Sequence, residues 1–449
     1  MDYAQAHRQF VKPGRSTLVP GDYFALTGGL DLETPPLQKK PGALLGCLNY
    51  EAKIAGGYES LAGYERYDGR TRPSQAQYWI IAFTGEAGAE PAAGATVTSS
   101  GGGTAIVLKV NAGASIVVGR LTGTFANAST LTSGAWTATQ SGTTAANNAS
   151  NDADSASYQQ LAIADMRAQI TKVPGSGSIL GVAIYRGVVY AIRNTADGTA
   201  AAIYYATATG WTQFALGWLL KFSAGLAAGI AAGDVLTGGT SAATGTVRRV
   251  VVTTGSFSGS NAAGYVVMYG VTGTFQNAEA LKKAGATVAT AASASSANTL
   301  KPGGKYELLW KNFYGATGDI RLYGVDGVNY ALELQDGASG WYAPVITGMT
   351  TDTPNHLAEC FGSLWLAFPG GSCQQSAVND PLAWNLLFGA AEWGVGDDVT
   401  GFLSQVETLF VFSRSRSMLW QKIYDYTGGS SLRFQTYDDK SGAQPYTLQ

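Results

Sequence analysis

The stretch from Ser178 to Phe214 constrains the fold most, because it reads as short strands separated by turn signals. An apolar run rich in β-branched and aromatic residues is interrupted at Arg186-Gly187, which predicts a β-hairpin. Asp197-Gly198 marks a second turn, and the run Ala201–Tyr205 leads into Gly210-Trp211. Three or four strands that meander in this way correspond to one blade of a β-propeller.

A turn followed by a large aromatic residue recurs along the chain. One meander cannot bury both of its faces, so the recurrence indicates similar units stacked beside it. In each copy the ring is predicted to fill the space between neighbouring sheets. The sequence therefore predicts an all-β, β-propeller-like core, with an unrelated all-β sandwich as the alternative. The four copies and their aromatic residues are Arg186–Ile192 with Tyr190, Asp326–Leu332 with Tyr330, Phe361–Ala367 with Trp365, and Val406–Phe412 with Phe410.

Two segments rich in Ala, Gly, Thr and Ser contain the clearest repeat in the chain. Thr122–Leu131 and Thr272–Leu281 read TGTFANASTL and TGTFQNAEAL, and each follows a strand-like run. The alternation of apolar residues around them is typical of folded strands rather than of a disordered linker, which is the alternative. We therefore expect two copies of one small β-module, inserted into loops of the larger fold.

One helix is expected between the first module and the stretch that begins at Ser178. Tyr158–Val173 has apolar residues at three- and four-residue steps, and Ser157 with Gln160 fits a capping box. Pro174 and Gly175 would end this helix, which is predicted to pack on the rim of the propeller.

These patterns divide the chain into five parts. The first, with the prolines of Gly28–Leu37, is predicted to be extended because proline removes backbone donors and restricts its neighbours. The last ends in strand-like segments that either N-terminal strands or a longer chain would complete. The parts are an N-terminal arm with the first propeller strands (1–84), module 1 (85–150), a helix and blade (151–222), module 2 (223–299) and the remaining blades (300–449).

Composition excludes several classes of function. Charged residues make up 13% of the 449 residues and the net charge is −2, which argues against a dedicated nucleic-acid binder. The first ten residues lack the apolar core of a secretory signal. Phe214–Gly233 resembles a membrane span, but Lys221 and its many small residues favour a buried strand followed by a linker. The three cysteines are expected to be reduced and buried, with a Cys360–Cys373 bridge left open.

No catalytic, cofactor or metal site can be assigned from the residues. The two histidines, His7 and His356, lie far apart without ligand spacing, and His356 is interpreted as a packed or exposed loop residue. Gly175–Gly181 misses the dinucleotide-binding pattern by one residue and enters a strand. The acid pairs Asp397-Asp398 and Asp438-Asp439 lie in turn-like settings, where cation binding is more plausible than glycoside hydrolysis.

Six segments outside the two modules carry a resemblance to a known family: 29–37, 41–51, 57–70, Val173–Gly177, Tyr185–Arg193 and Lys440–Gln449. In these segments the chain resembles tail proteins of short-tailed bacteriophages. The similarity is to their propeller-bearing tube, nozzle or hub subunits. It implies a virion protein, assembled in the host cytoplasm, that forms a homohexameric ring between portal or adaptor and tail fibre or spike proteins.

The resemblance predicts a non-enzymatic structural subunit whose ring conducts DNA during ejection. A weakly charged lumen would let DNA slide without sequence-specific binding, whereas a basic wall would hold it. No stable membrane insertion is expected. The alternative function is a surface adhesin whose propeller binds carbohydrate through its Trp- and Tyr-rich rim, since the chain has 10 Trp and 23 Tyr.

Overall fold

The computed structural model describes residues 65–424 except 338, residues 430–440, 442, 443 and 445, and single residues and short runs between 31 and 60. The chain divides into two compact units, Met1–Arg66 and Tyr67–Gln449. In the first unit, strands β1 (Tyr50–Ala52) and β2 (Tyr58–Ser60) form an antiparallel hairpin. The segment expected to be extended before Asp31, together with His7 and Cys47, lies outside the described residues.

The second unit begins with a closed six-stranded antiparallel barrel, called barrel 1. Its strands pair in the ring order β3-β6-β5-β4-β7-β8. Alternate side chains point inward, and Ile81, Val107, Ile116 and Trp136 are almost fully buried in the barrel core. The strands are β3 (Tyr78–Ala87), β4 (Thr96–Ser99), β5 (Thr104–Asn111), β6 (Ser115–Thr122), β7 (Thr130–Ser133) and β8 (Trp136–Gln140).

Barrel 2 has the same topology. Its ring order β13-β16-β15-β14-β17-β18 returns to the start because β13 pairs with both β16 and β18, and β19 is added on β13. Ala128 and Ala278, at the same place in the two repeats, both have positive φ. The strands are β13 (Trp218–Gly225), β14 (Val235–Gly238), β15 (Thr244–Thr254), β16 (Ala262–Thr272), β17 (Ala280–Lys283), β18 (Ala286–Ala291) and β19 (Ser296–Ala297).

The first strand of each barrel begins before the change in composition. Strand β3 starts at Tyr78 and β13 at Trp218, ahead of the positions 85 and 223 at which the Ala, Gly, Thr and Ser content rises. These apolar strands resemble the strands of the blades in sequence, and only their pairing assigns them to the barrels. In the described part of the chain, no helix has both the length and the apolar character that crossing a bilayer requires.

Helix α1 spans Asp152–Gln169 and packs on barrel 1, which corrects two expectations. It begins at Asp152 because the side chain of Asn151 accepts a hydrogen bond from the Asp154 backbone N–H, so Ser157 lies inside the helix and does not cap it. Its buried residues Tyr158 and Ala162 contact the barrel rather than the rim of the propeller.

Four antiparallel four-stranded sheets follow the pattern of propeller blades, each a simple meander. The first is the hairpin-based sheet expected from the sequence. Blade 1 contains β9 (Ser176–Tyr185), β10 (Val188–Asn194), β11 (Ala201–Thr207) and β12 (Gly210–Gln213); blade 2 contains β20 (Glu307–Lys311), β21 (Arg321–Val325), β22 (Ala331–Gln335) and β23 (Trp341–Val345); blade 3 contains β24 (His356–Cys360), β25 (Ser363–Phe368), β26 (Ser372–Gln375) and β27 (Ala391–Gly394); blade 4 contains β28 (Val399–Gln405), β29 (Thr408–Ser413), β30 (Ser417–Tyr424) and β31 (Ser430–Asp438).

The blades pack face to face in chain order around an inner row of first strands, in which β9 contacts β20, β20 contacts β24 and β24 contacts β28. In every blade the third residue of the second strand is aromatic. Tyr190 packs in the core shared by blades 1 and 2, and Trp365 packs in the core shared by blades 3 and 4. The all-β, propeller-like fold is therefore confirmed.

Blade 2 corrects the predicted register. Its aromatic residue at this position is Tyr323, which is fully buried in the core that includes blade 3, whereas Tyr330 precedes β22 and is 47% exposed. The predicted pattern expects a short turn before the second strand of the blade and therefore matches the turn at Asp326. In the structure the first two strands, β20 and β21, are joined by the longer segment 312–320. Blades 1 and 3 instead use Arg186-Gly187 and Phe361-Gly362, in which both residues have positive φ.

Candidate functional surfaces

Polar side chains on the innermost strands join one blade to the next. His356 Nδ1 lies 2.7 Å from Glu307 Oε1, and Lys311 Nζ lies 2.6 Å from Glu359 Oε2. His356 is a buried residue of strand β24 and not a loop residue as expected. A cavity of about 250 Å³ between these strands is lined by Glu307, Leu357 and Phe402. These polar side chains tie blades together, and Glu307 also lines the cavity.

A buried charge cluster fixes barrel 2 to blade 2. The fully buried carboxylate of Glu333 accepts a hydrogen bond from Arg321 and lies 3.5 Å from Arg249 Nη2. Arg249 also donates to the Tyr314 hydroxyl at 2.6 Å, and its guanidinium lies 5.2 Å from the centre of the Trp341 ring. Burial, the largest single effect, would lower the pKa of both arginines, but the Glu333 carboxylate and the Tyr314 side chain together outweigh it and raise the pKa of each above its ordinary value.

A second buried carboxylate, Asp68, joins three elements. It pairs with Arg70 and accepts hydrogen bonds from Thr171, which follows α1. Arg70 in turn donates to Thr209 in the turn between β11 and β12. Burial raises the pKa of Asp68, but the backbone N–H groups of Thr171 and Arg70 and the Arg70 charge outweigh it and hold the pKa below its usual range. These hydrogen bonds and the ion pair make Asp68 and Arg70 a structural link between the three elements.

The acid pair Asp397-Asp398 and the two described cysteines have structural surroundings that account for them. Asp397 accepts two hydrogen bonds from Ser415, which lower its pKa, and Asp398 pairs with Arg414 at 3.2 Å. Cys360 and Cys373 are free thiols in the blade 3 core, so the bridge between them is absent. Among the residues that the structure describes, no three His, Cys, Asp or Glu side chains are grouped as a metal site would require.

The outer face of blade 4 continues the pattern of the interfaces between blades. Phe410 occupies the position of Trp365 but belongs to no core cluster of the described residues, and it contacts Phe412 and Tyr437 on the same sheet. Tyr437 is 73% exposed, and Leu403, the cross-strand partner of Phe410, is 39% exposed. In the part of the chain that the structure describes, an apolar face of the kind that the next blade covers elsewhere is therefore partly exposed here.

An apolar tip protrudes from the connection between β26 and β27 in blade 3. Leu386, Leu387 and Phe388 are 79%, 89% and 56% exposed and form one turn of 3₁₀ helix. The side chain of Asn385 caps this turn by accepting from Leu387 N–H at 2.9 Å, and Gly389 ends it with φ of +90°. Three consecutive exposed large apolar residues on a well-defined turn indicate a contact surface.

A cleft of about 380 Å³ lies between barrel 1 and α1, beside the outermost turn of blade 1. Its large apolar side chains are Trp79, Leu121 and Met166, and the side chains of Gln77 and Gln169 also line it. Arg120 also lines the cleft, where Asp165 neutralises it through two hydrogen bonds of 2.7 and 3.1 Å. The cleft therefore combines apolar walls with polar groups that carry little net charge.

Comparisons with known proteins do not identify the chain. It matches no protein-family model and no curated protein. The computationally designed Ika8 protein is 10% identical, with a TM-score of 0.22 over 63% of this chain and 93% of that protein. AztD of Citrobacter koseri is 9% identical, with a TM-score of 0.21 over 83% of this chain and all of that protein.

Proposed function

We propose that this chain is a non-enzymatic structural subunit of a bacteriophage tail. In this proposal it is a nozzle, hub or tube component that assembles into a ring of six copies. The ring connects the portal or adaptor to the distal fibres or spikes and conducts DNA during ejection. The proposal places the protein in the virion tail.

One observation carries the structural role: the outer face of blade 4. Leu403, Phe410 and Tyr437 present apolar surface of the kind that the following blade covers at Tyr190, Tyr323 and Trp365. Leaving such a face in water forgoes roughly 25 cal/mol for each Å² of apolar area. Further protein that covers this face would recover that free energy, which favours a component of a larger assembly.

The charge distribution supports DNA passage rather than DNA retention. The net charge is −2, and on the innermost strands Glu307 pairs with His356 and Lys311 with Glu359. Binding to phosphates requires unpaired Lys and Arg that release counterions from the nucleic acid. With a net charge of −2 the chain as a whole offers DNA little of this attraction, which suits a ring through which DNA moves.

Electron microscopy and sedimentation velocity of the purified full chain test the proposal. We expect a six-membered ring with a central opening, and no retention of double-stranded DNA at physiological salt. A chain that remains monomeric at about 100 µM, well above the µM range of specific association, would overturn the proposal.

A further inference from the structure

We propose that the apolar tip Leu386–Phe388 of one copy docks into the cleft between barrel 1 and α1 of the next copy. This inference rests on the proposed ring and names the contact that builds it. The tip presents Leu387 as its most exposed side chain, at 89%. The cleft has an apolar wall of Trp79, Leu121 and Met166 and a volume of about 380 Å³.

The chemistry of the two surfaces matches. The residues of the tip, Leu386, Leu387 and Phe388, carry no charge, so a partner surface must bury them without leaving a charge desolvated. The cleft meets this condition because its two arginines are neutralised by ion pairs, Arg120 with Asp165 and Arg70 with Asp68. Its glutamine side chains, Gln77 and Gln169, can hydrogen-bond the backbone of the tip. Apolar anchors in a pocket with a polar rim are typical of binding hot spots.

The placement of the two surfaces determines the kind of assembly. The tip belongs to blade 3, whereas the cleft lies beside blade 1, and blade 2 stands between these blades in the row. A contact between two different patches of the same chain is heterologous, so each copy still offers a free tip or a free cleft after it binds one neighbour. Repetition of such a contact closes into a ring when the rotation allows it. The occupant that fits a ring is therefore a second copy of this chain.

Cysteine cross-linking can test this contact in the intact protein. The variants are Leu387→Cys on the tip and Gln77→Cys at the cleft, both in a Cys47→Ser chain, in which the two remaining thiols are buried in blade 3. Mild oxidation of the chain that carries both substitutions should give a ladder of covalent multimers. An equimolar mixture of the two single variants should stop at covalent dimers, because each single variant has one reactive surface.

Two outcomes would overturn the contact while leaving the ring proposal standing. One is a covalent dimer from Leu387→Cys alone, which would mean that tips meet tips. The other is a ring by sedimentation in which the doubly substituted chain gives no ladder. A doubly substituted chain and an unsubstituted chain that both stay monomeric would overturn the ring proposal and this contact together.

A charge at the tip provides a second test with a matched control. Leu387→Asp should lower the ring fraction at least tenfold, whereas Val235→Asp should leave it unchanged, because Val235 is 53% exposed on β14 of barrel 2 and belongs to neither the tip, the cleft nor blade 4. Rings that survive Leu387→Asp would contradict the inference. If Leu387→Asp abolishes flotation of the chain with phosphatidylcholine vesicles while the rings persist, the tip binds a membrane, and this result would likewise overturn the inference.

Discussion

Lys109 and Arg249 occupy the same position in the two barrels, and each lies near an aromatic ring of the element on which its barrel packs. Both follow the same register shift, in β5 and in β15. Lys109 Nζ lies 5.1 Å from the centre of the Tyr158 ring in α1, and the Arg249 guanidinium lies 5.2 Å from the Trp341 ring in blade 2. The same barrel face is therefore used twice, once against a helix and once against a blade.

The two cations differ in burial, so their removal should have different costs. Arg249→Met leaves the buried Glu333 with Arg321 as its remaining basic partner and should lower the free energy of unfolding by about 3 kcal/mol. Lys109→Met removes a cation–π contact with Tyr158 and should cost about 0.5–1 kcal/mol. Urea denaturation of both variants measures the difference, and equal losses would contradict the assigned roles.

Burial, followed by the nearby Asp336 carboxylate, raises the pKa of Tyr185 to about 12. The unfolded value is about 10, so the neutral phenol is favoured in the folded chain. This stabilisation is complete below about pH 10 and is lost as the pH rises towards 12, which amounts to about 2 kcal/mol. Urea unfolding between pH 8 and 12 should show a decline that is shallower in Tyr185→Phe; an identical decline in that variant would refute the assignment.

Both described cysteines should resist modification in the folded protein. Cys373 is fully buried and Cys360 is 1% exposed, and burial raises the pKa of both thiols, which keeps them as unreactive neutral groups. In a Cys47→Ser chain, iodoacetamide should label neither thiol until denaturant is added, as mass spectrometry can show. Labelling of Cys373 in the native chain would mean that blades 3 and 4 separate readily.

Local sequence patterns predicted the features that depend on neighbouring residues. The hairpin at Arg186-Gly187 and the duplicated segment at Thr122 and Thr272 were readable because two-residue turns and repeats leave a signal within a few residues. The apolar spacing locates helix α1 but not its first residue, because the capping residue Asn151 precedes polar and small residues that resemble a loop.

Contacts between distant residues could not be predicted. Glu333 is 84 residues from Arg249, and Asp68 is 103 residues from Thr171, so no local pattern connects them. The error at Tyr330 has the same origin: β21 is recognised by its pairing with β20 across a long loop, whereas the sequence pattern assumed a tight turn. The tip at Leu386–Phe388 does carry a local signal, three large apolar residues after an asparagine that caps the turn.

Trp365 and Phe410 occupy the same position in neighbouring blades, but within the described residues only Trp365 is covered by a following blade. Replacing each with alanine should therefore affect stability in the first case and assembly in the second. Trp365→Ala empties the core between blades 3 and 4 and should destabilise the chain by about 3–5 kcal/mol. Phe410→Ala should cost the isolated chain about 1 kcal/mol, since Phe410 is only partly buried, yet it should weaken any complex in which further protein covers blade 4. Urea denaturation measures the first quantity, and pull-down of the tail proteins that the proposed function implies measures the second. Unchanged assembly of Phe410→Ala would mean that this face stays in water.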